Sequence, residues 1–249
     1  MLRRVLKYIR DNELLQPSDR VLVCVSGGAD SVALLDVLLR GGYECVAAHC
    51  NFHLRGEESN RDEQYVRRLC AERKVPLEVR EFDTLAESER IGRSVEMTAR
   101  LLRYEWFEKT AKQHDCQAIA VAHHQNDQAE TLLMNLRRGA GIRGLCGMRP
   151  KSTNPGGEMA VIRPLLCTTH DYIVHYLRDI RHIDWVEDST NSDTHIRRNS
   201  IREELSRYPK AEIEHIAQTA RIMQGYVDWM EGKDTLAARE VQKYEKDRQ

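Results

Sequence analysis

The stretch VLVCVSGGADSVALL, residues 21–35, decides the fold. An apolar run, Val21 to Val25, stops at Ser26-Gly27-Gly28, and three residues later a second apolar run begins at helical spacing. A strand that passes straight into a helix across two glycines gathers unbonded N–H groups and the positive end of a helix dipole at one spot. Such a spot binds anions. The glycines permit φ > 0 and leave room for close approach of phosphate oxygens; Ser26 and Ser31 add hydroxyls. Asp30 is the odd member, because a carboxylate repels a phosphate unless a divalent cation lies between them, which points to Mg²⁺. The same residues also suit a tight packing turn with Asp30 as a helix N-terminal charge. Neither GxxxxGK[ST] nor GxGxxG is present, so the loop is not of the Walker or dinucleotide type.

Outward from this stretch, short apolar runs alternate with helical patterns. Arg20–Val25, Cys45–Cys50, Leu77–Phe82, Ala118–Ala122 and Val161–Leu166 read as five strands buried on both faces. Asp30–Arg40, Glu57–Arg73, Val95–His114, Asp127–Arg138 and Thr169–Arg181 carry the helical period. The alternation predicts right-handed βαβ units and an α/β, Rossmann-like, doubly wound sheet, mostly parallel, with flanking helices. Residues 151–158 read as a polar loop, and 189–198 as a polar stretch. Glu212–Lys246 reads as one continuous helix, so the expected division is an α/β domain over 1–208 and a helical extension over 209–249.

Composition bounds the function. With 41% hydrophobic and 31% charged residues the chain has the balance of a soluble globular protein, and no stretch reaches the roughly 20 apolar residues of a membrane span. Residues 1–10 form an amphipathic helix, not a signal peptide. The seven cysteines are scattered and never form a CxxC pair, as expected of reduced thiols in a cytoplasmic protein. His49 and His53 lack the partners of a metal site, and no further ligand lies at zinc spacing from His123-His124. A net charge of −1 gives no global field for nucleic acid, although arginines cluster at 137–149 and at 197–207. Those clusters suit either a local polyanion contact or solvated helix faces.

The SGGxDS pattern after the first strand resembles the pyrophosphate loop of the N-type ATP pyrophosphatases, which cleave ATP between the α- and β-phosphates. Four further stretches narrow the resemblance: AAHCNFHLRGEESNRDEQYV (47–66), SVEMTARLLRYEWF (94–107), AVAHHQNDQAETLLMNLRRGAGIRGLCGM (120–148) and RNSIR (198–202). In order and spacing they are similar to the tRNA(Ile)-lysidine synthetases, over roughly residues 18–205. The resemblance implies that ATP adenylates O2 of the wobble cytidine in a CAU-anticodon tRNA(Ile). The ε-amine of free L-lysine then attacks C2 and expels AMP.

Roles follow for individual residues. Ser26, Gly27, Gly28 and Ser31 are expected to hold the leaving pyrophosphate, with Asp30 on ATP-bound Mg²⁺. Arg100 and Arg103, i and i+3 on one helix face, offer cations to the phosphates. Asp127 and Glu130, at a helix start following a strand's C-terminal end, are expected to hold lysine, and Asp30, Arg100 and Asp127 to carry the chemistry. By resemblance Asn51 and Arg55 border the adenosine, His123 belongs to the ATP site, and Arg198 and Arg202 contact phosphates or tRNA. Two features depart from the family pattern. Asn126 stands where HHxDDQxET has its first acid, and the chain ends where family members continue into C-terminal tRNA-gripping domains. A short or truncated form, and a possible homodimer through the tail, are the corresponding expectations. The rival readings are a tRNA thiolase of the same superfamily, disfavoured by the absence of CxxC; an amide-forming synthetase; and a non-catalytic adenine-nucleotide module.

Overall fold

The computed structural model describes residues 1–249 apart from 55, 155–156, 188–196 and 247–249, and the side chains of 197–199. Five strands run parallel or nearly so at the centre: β1 (Arg20–Cys24), β2 (Glu44–Asn51), β3 (Leu77–Glu81), β4 (Ala118–Ala120) and β6 (Ala160–Ile162). A sixth, β5 (Lys151–Thr153), pairs antiparallel with β6 at one edge, giving the order β3-β2-β1-β4-β6-β5. The polar loop expected at 151–158 therefore begins with a strand. Lys151-Ser152-Thr153 carries no apolar signal because its outer side is an exposed sheet edge.

Both faces of the sheet are covered at its centre, which is why β1 and β4 are apolar without strict alternation; the expectation of a strand buried on both faces fails at β3, an edge strand that exposes Glu78, Arg80 and Glu81. Val21, Val23, Ala47, Ala118 and Ala120 pack under α1 (Leu2–Asp11), α2 (Ala29–Arg40), α3 (Glu57–Glu72) and α8 (His170–His175). Leu22, Val46, Ala48, Ile119 and Val161 pack on the other side against Tyr104, Phe107 and Ala111 of α5 (Val95–Gln113). A short α4 (Thr84–Ile91) precedes α5, and the helix expected over Thr169–Arg181 continues α8 as a π-type segment, Tyr176–Arg181. The predicted strand Val161–Leu166 is shorter, since Pro164 opens a 3₁₀ turn over Pro164–Cys167.

The sheet order reverses direction between β1 and β4, so the loops after these strands open onto a common crevice. From β4 the chain enters α6 (Gln125–Arg137) and the short α7 (Ile142–Leu145); α9 (Arg197–Ser206) follows later. Ala129 of α6 forms a satellite core with Ile201, Leu205 and Ile213. The expected single helix over Glu212–Lys246 is two, α10 (Lys210–Met230) and α11 (Leu236–Lys246). Gly232, at φ +70°, ends the first in the left-handed conformation that favours glycine. This tail packs on the rest of the chain: Arg149 Nη1 donates to both oxygens of the buried Asp228 at 2.7 and 3.0 Å, and Thr235 donates to the same carboxylate at 2.9 Å.

Candidate functional site

The loop after β1 is built around Ser31. Its Oγ accepts from the Ser26 and Gly27 N–H groups at 3.1 and 3.2 Å and donates to the Gly28 carbonyl at 2.9 Å. Ser26 Oγ in turn accepts from Gly28 N–H at 3.3 Å. The two glycines are required for different reasons. Gly27 sits at φ +99°, a conformation that side chains avoid. Gly28 has ordinary backbone angles as the N-cap of α2, and a Cβ there would meet no protein atom closer than 3.6 Å. What a side chain at 28 would fill is the open approach to the α2 N-terminus. The loop is braced from below by buried His49, whose Nδ1 donates to the Val25 carbonyl at 2.8 Å. Burial lowers the His49 pKa despite that hydrogen bond, so the ring is held neutral. From the side, Val186 N–H bonds the Gly27 carbonyl at 2.9 Å and the Tyr65 hydroxyl bonds the Asp184 carbonyl.

Asp30, in the first turn of α2, lies between two imidazoles. His170 Nδ1 donates to one carboxylate oxygen at 2.9 Å, and His124 Nε2 lies 3.5 Å from the other. Burial would raise the Asp30 pKa, but the hydrogen bonds from His124 and His170 outweigh it and hold the carboxyl well below the usual carboxylate range. Burial likewise opposes charge on His124, yet the neighbouring Asp127 and Asp30 carboxylates raise its pKa above the ordinary imidazole value. Asp127 also accepts from the His124 backbone N–H at 3.0 Å, which starts α6, and lies 3.4 Å from His124 Nε2.

The structure thus brings together Ser26, Gly27, Gly28, Asp30, Ser31 and Asp127 of the expected site. It also adds His124 and His170. Sequence spacing argued against a metal beside His123-His124; His170, 46 residues beyond His124, supplies the partner that spacing lacked. Asp30, His124 and His170 are the one group among the described residues whose ligand atoms all lie within 4.8 Å of one another. Nothing local marks His170 in the sequence beyond its place after Thr169, the N-cap of α8.

Other expected residues are placed differently. Asn51 is 2% exposed and turned into its own loop, donating to Glu63 at 2.9 Å and accepting from His53 N–H at 3.0 Å. Ser94 caps α5, directing Arg103 over the Phe52 ring at 5.0 Å, at the end of β2, and Arg100 over Tyr104 of its own helix at 5.2 Å. Glu130 is buried and receives Arg202 Nε at 2.9 Å, so two residues expected to bind different partners bind each other. His123 is half-buried at the end of the β4 loop. Arg55 lies outside the described residues, and Arg198 stands in the first turn of α9 with its side chain outside them.

Comparison with known proteins agrees with this architecture. Residues 1–222 match the sequence profile of a PP-loop domain. A tRNA(Ile)-lysidine synthase of Bacteroides thetaiotaomicron is 51% identical over 200 residues, 80% of this chain and 45% of that protein. One of Porphyromonas gingivalis strain W83 is 50% identical over 206 residues, 82% of this chain and 44% of that protein. The chain therefore spans less than half the length of these curated relatives. Among solved structures, a U34-tRNA thiolase from Methanococcus maripaludis superposes with a TM-score of 0.69 at 16% identity, covering 90% of this chain and 80% of that one. At that identity the likeness extends to the fold. The loop after β1, its place at the reversal of the sheet and the profile match over most of the sequence coincide: the chain belongs to the PP-loop domain family.

Proposed function

We propose that this chain is the catalytic part of a cytoplasmic tRNA(Ile)-lysidine synthetase, a ligase that converts ATP to AMP and pyrophosphate. The observation that carries the reading is the Ser26–Ser31 loop, at whose second glycine a Cβ would meet no protein atom closer than 3.6 Å beside a helix N-terminus. The names of relatives about half identical to the chain support the choice of reaction.

In this reading the β- and γ-phosphates lie against the loop, where the N–H groups of the first turn of α2 receive the charge of the departing pyrophosphate and the Gly27 and Gly28 amides exchange their Ser31 and Ser26 hydroxyl partners for phosphate oxygens. Asp30 would hold a magnesium ion through its carboxylate, and the ion would supply positive charge to the triphosphate. Arg103, held at the end of β2, and Arg100 supply positive charge from the α5 side. The cytidine O2 attacks the α-phosphorus, pyrophosphate leaves, and the lysine ε-amine displaces AMP from C2. That amine has an ordinary pKa of about 10.4 and must lose a proton before it attacks. Asp127 guides the ammonium group in and, with His124, offers a route for that proton. Glu130 stands at the same end of the crevice as one half of a neutral pair with Arg202.

The test is pyrophosphate release from ATP, with lysine and a CAU-anticodon tRNA each omitted in turn. The reading requires release to depend on the RNA, and turnover to lysidine to depend on both. Release that needs neither would contradict it. Release stimulated by a sulfur donor would favour the thiolase.

A further inference from the structure

Asp30, His124 and His170 come from three separate places: the first turn of α2, the loop after β4 and the start of α8. The last two are bonded to each other independently of any side chain that faces Asp30. Gln125 N–H donates to the Thr168 carbonyl at 2.9 Å, and His170 N–H donates to Asn126 Oδ1 at 3.0 Å. Asn126 thus fixes the backbone that carries His170. An acid at that position would place a negative charge against the His170 backbone; the amide gives the same acceptor without it.

We infer that this triad is a binding site for a divalent first-row transition metal in the nucleotide-free chain, with Mn²⁺ as the spectroscopic probe of it. The dimensions fit. One ligand atom from each residue lies within 4.8 Å of the others; the two Asp30 oxygens lie 2.9 and 3.5 Å from the imidazole nitrogens, within about 0.1 Å of the roughly 3.0–3.4 Å that bonds of about 2.0–2.2 Å to one ion impose. Two nitrogens and one carboxylate form a donor set that suits first-row transition ions. Magnesium prefers a shell of oxygen ligands and gains little from imidazole. Binding exchanges the imidazole protons for the metal, and the proton leaves to solvent. The site shares Asp30 with the proposed reaction, but the inference concerns the free chain and stands whether or not lysidine is its product.

The experiment is titration of the chelator-treated full chain with Mn²⁺, and separately with Mg²⁺, in the absence of ATP, lysine and RNA. One Mn²⁺ per chain is expected, bound at least about tenfold more tightly than Mg²⁺. His170→Gln should weaken Mn²⁺ by about ten- to a hundredfold, and Asn126→Ala by less, through loss of the support for His170. Electron spin-echo spectroscopy of Mn²⁺ on the wild-type chain should report two coupled imidazole nitrogens, a readout that needs no variant to fold. Absence of nitrogen coupling would overturn the inference. So would Mg²⁺ binding as tightly as Mn²⁺, or a folded His170→Gln that holds Mn²⁺ unchanged.

Discussion

Asp30 and Asp36 lie on the same helix, α2, and their surroundings differ in kind. Asp36, in the middle of the helix, is 4% exposed. It accepts from Tyr176 Oη at 2.5 Å and from Arg181 through both oxygens, at 3.1 and 3.2 Å. A guanidinium keeps its protons throughout the range in which proteins fold, so this pair is closed to exchange. Asp30, at the helix start, is held instead by two imidazoles, His170 Nδ1 at 2.9 Å and His124 Nε2 at 3.5 Å. One end of α2 faces a cluster of imidazoles, and its middle fastens the π-type segment 176–181 to the helix.

Substitutions can break this contrast. Asp30→Ala should reduce ATP-dependent pyrophosphate release by on the order of 10³-fold, because the preorganised charge around the triphosphate is lost. Its stability should fall by about 1–2 kcal/mol, since His170 can turn to water but the buried His124 keeps only Asp127 as a carboxylate partner at hand. Asp36→Ala should act on stability alone. Removing the carboxylate leaves Arg181 and the buried Tyr176 hydroxyl without their partner, at a cost of about 2–4 kcal/mol in urea unfolding. Its rate per folded molecule should remain that of the wild type. A fall in rate at full stability in Asp36→Ala would erase the distinction.

Glu130 and Arg202 sharpen it, because their pair resembles that of Asp36 while lying beside the crevice. Arg202→Ala should cost about 1–3 kcal/mol by leaving a buried carboxylate under-compensated. Glu130→Gln in the same chain should recover part of that loss. If Arg202 instead holds RNA phosphate, the slope of log affinity against log salt should fall by about one in Arg202→Ala.

The smallest effect concerns His49. Its native pKa is lowered by burial, so the folded state prefers the neutral ring. The stability this gives is present above the unfolded value, near 6.5, and is lost as pH falls below it. Replacing His49 with Asn, which can still donate to the Val25 carbonyl, should flatten the stability curve between pH 6.5 and 5. Calorimetric unfolding at a series of pH values would measure this, and an unchanged curve would assign the pH dependence to other histidines.

The strand–loop–helix at residues 20–40 was legible because buried parallel strands, a glycine turn and a helix start each leave a local mark. The features that escaped the sequence leave none. Residues 151–153 are polar because they form an edge strand. The break between α10 and α11 rests on Gly232, one residue in an otherwise helical pattern. His170 reaches Asp30 across 140 residues, a distance that no periodicity encodes. Asn126 reads in sequence as a missing acid; in the fold it is the acceptor that fixes His170. Asp127 and Glu130 were legible as a pair on one helix, but their partners, His124 and Arg202, depend on how α6 meets the sheet edge and α9.

The central claim is that the crevice above β1 and β4 makes a cytidine oxygen the leaving group for lysine. It is tested most directly by supplying a CAU-anticodon RNA whose wobble cytidine carries ¹⁸O at O2, with ATP and lysine, and locating the label by mass spectrometry. If O2 attacks the α-phosphorus and AMP is then displaced, the label must appear in AMP as lysine enters the RNA. Unlabelled AMP, with the heavy oxygen retained in the cytidine, would contradict the account.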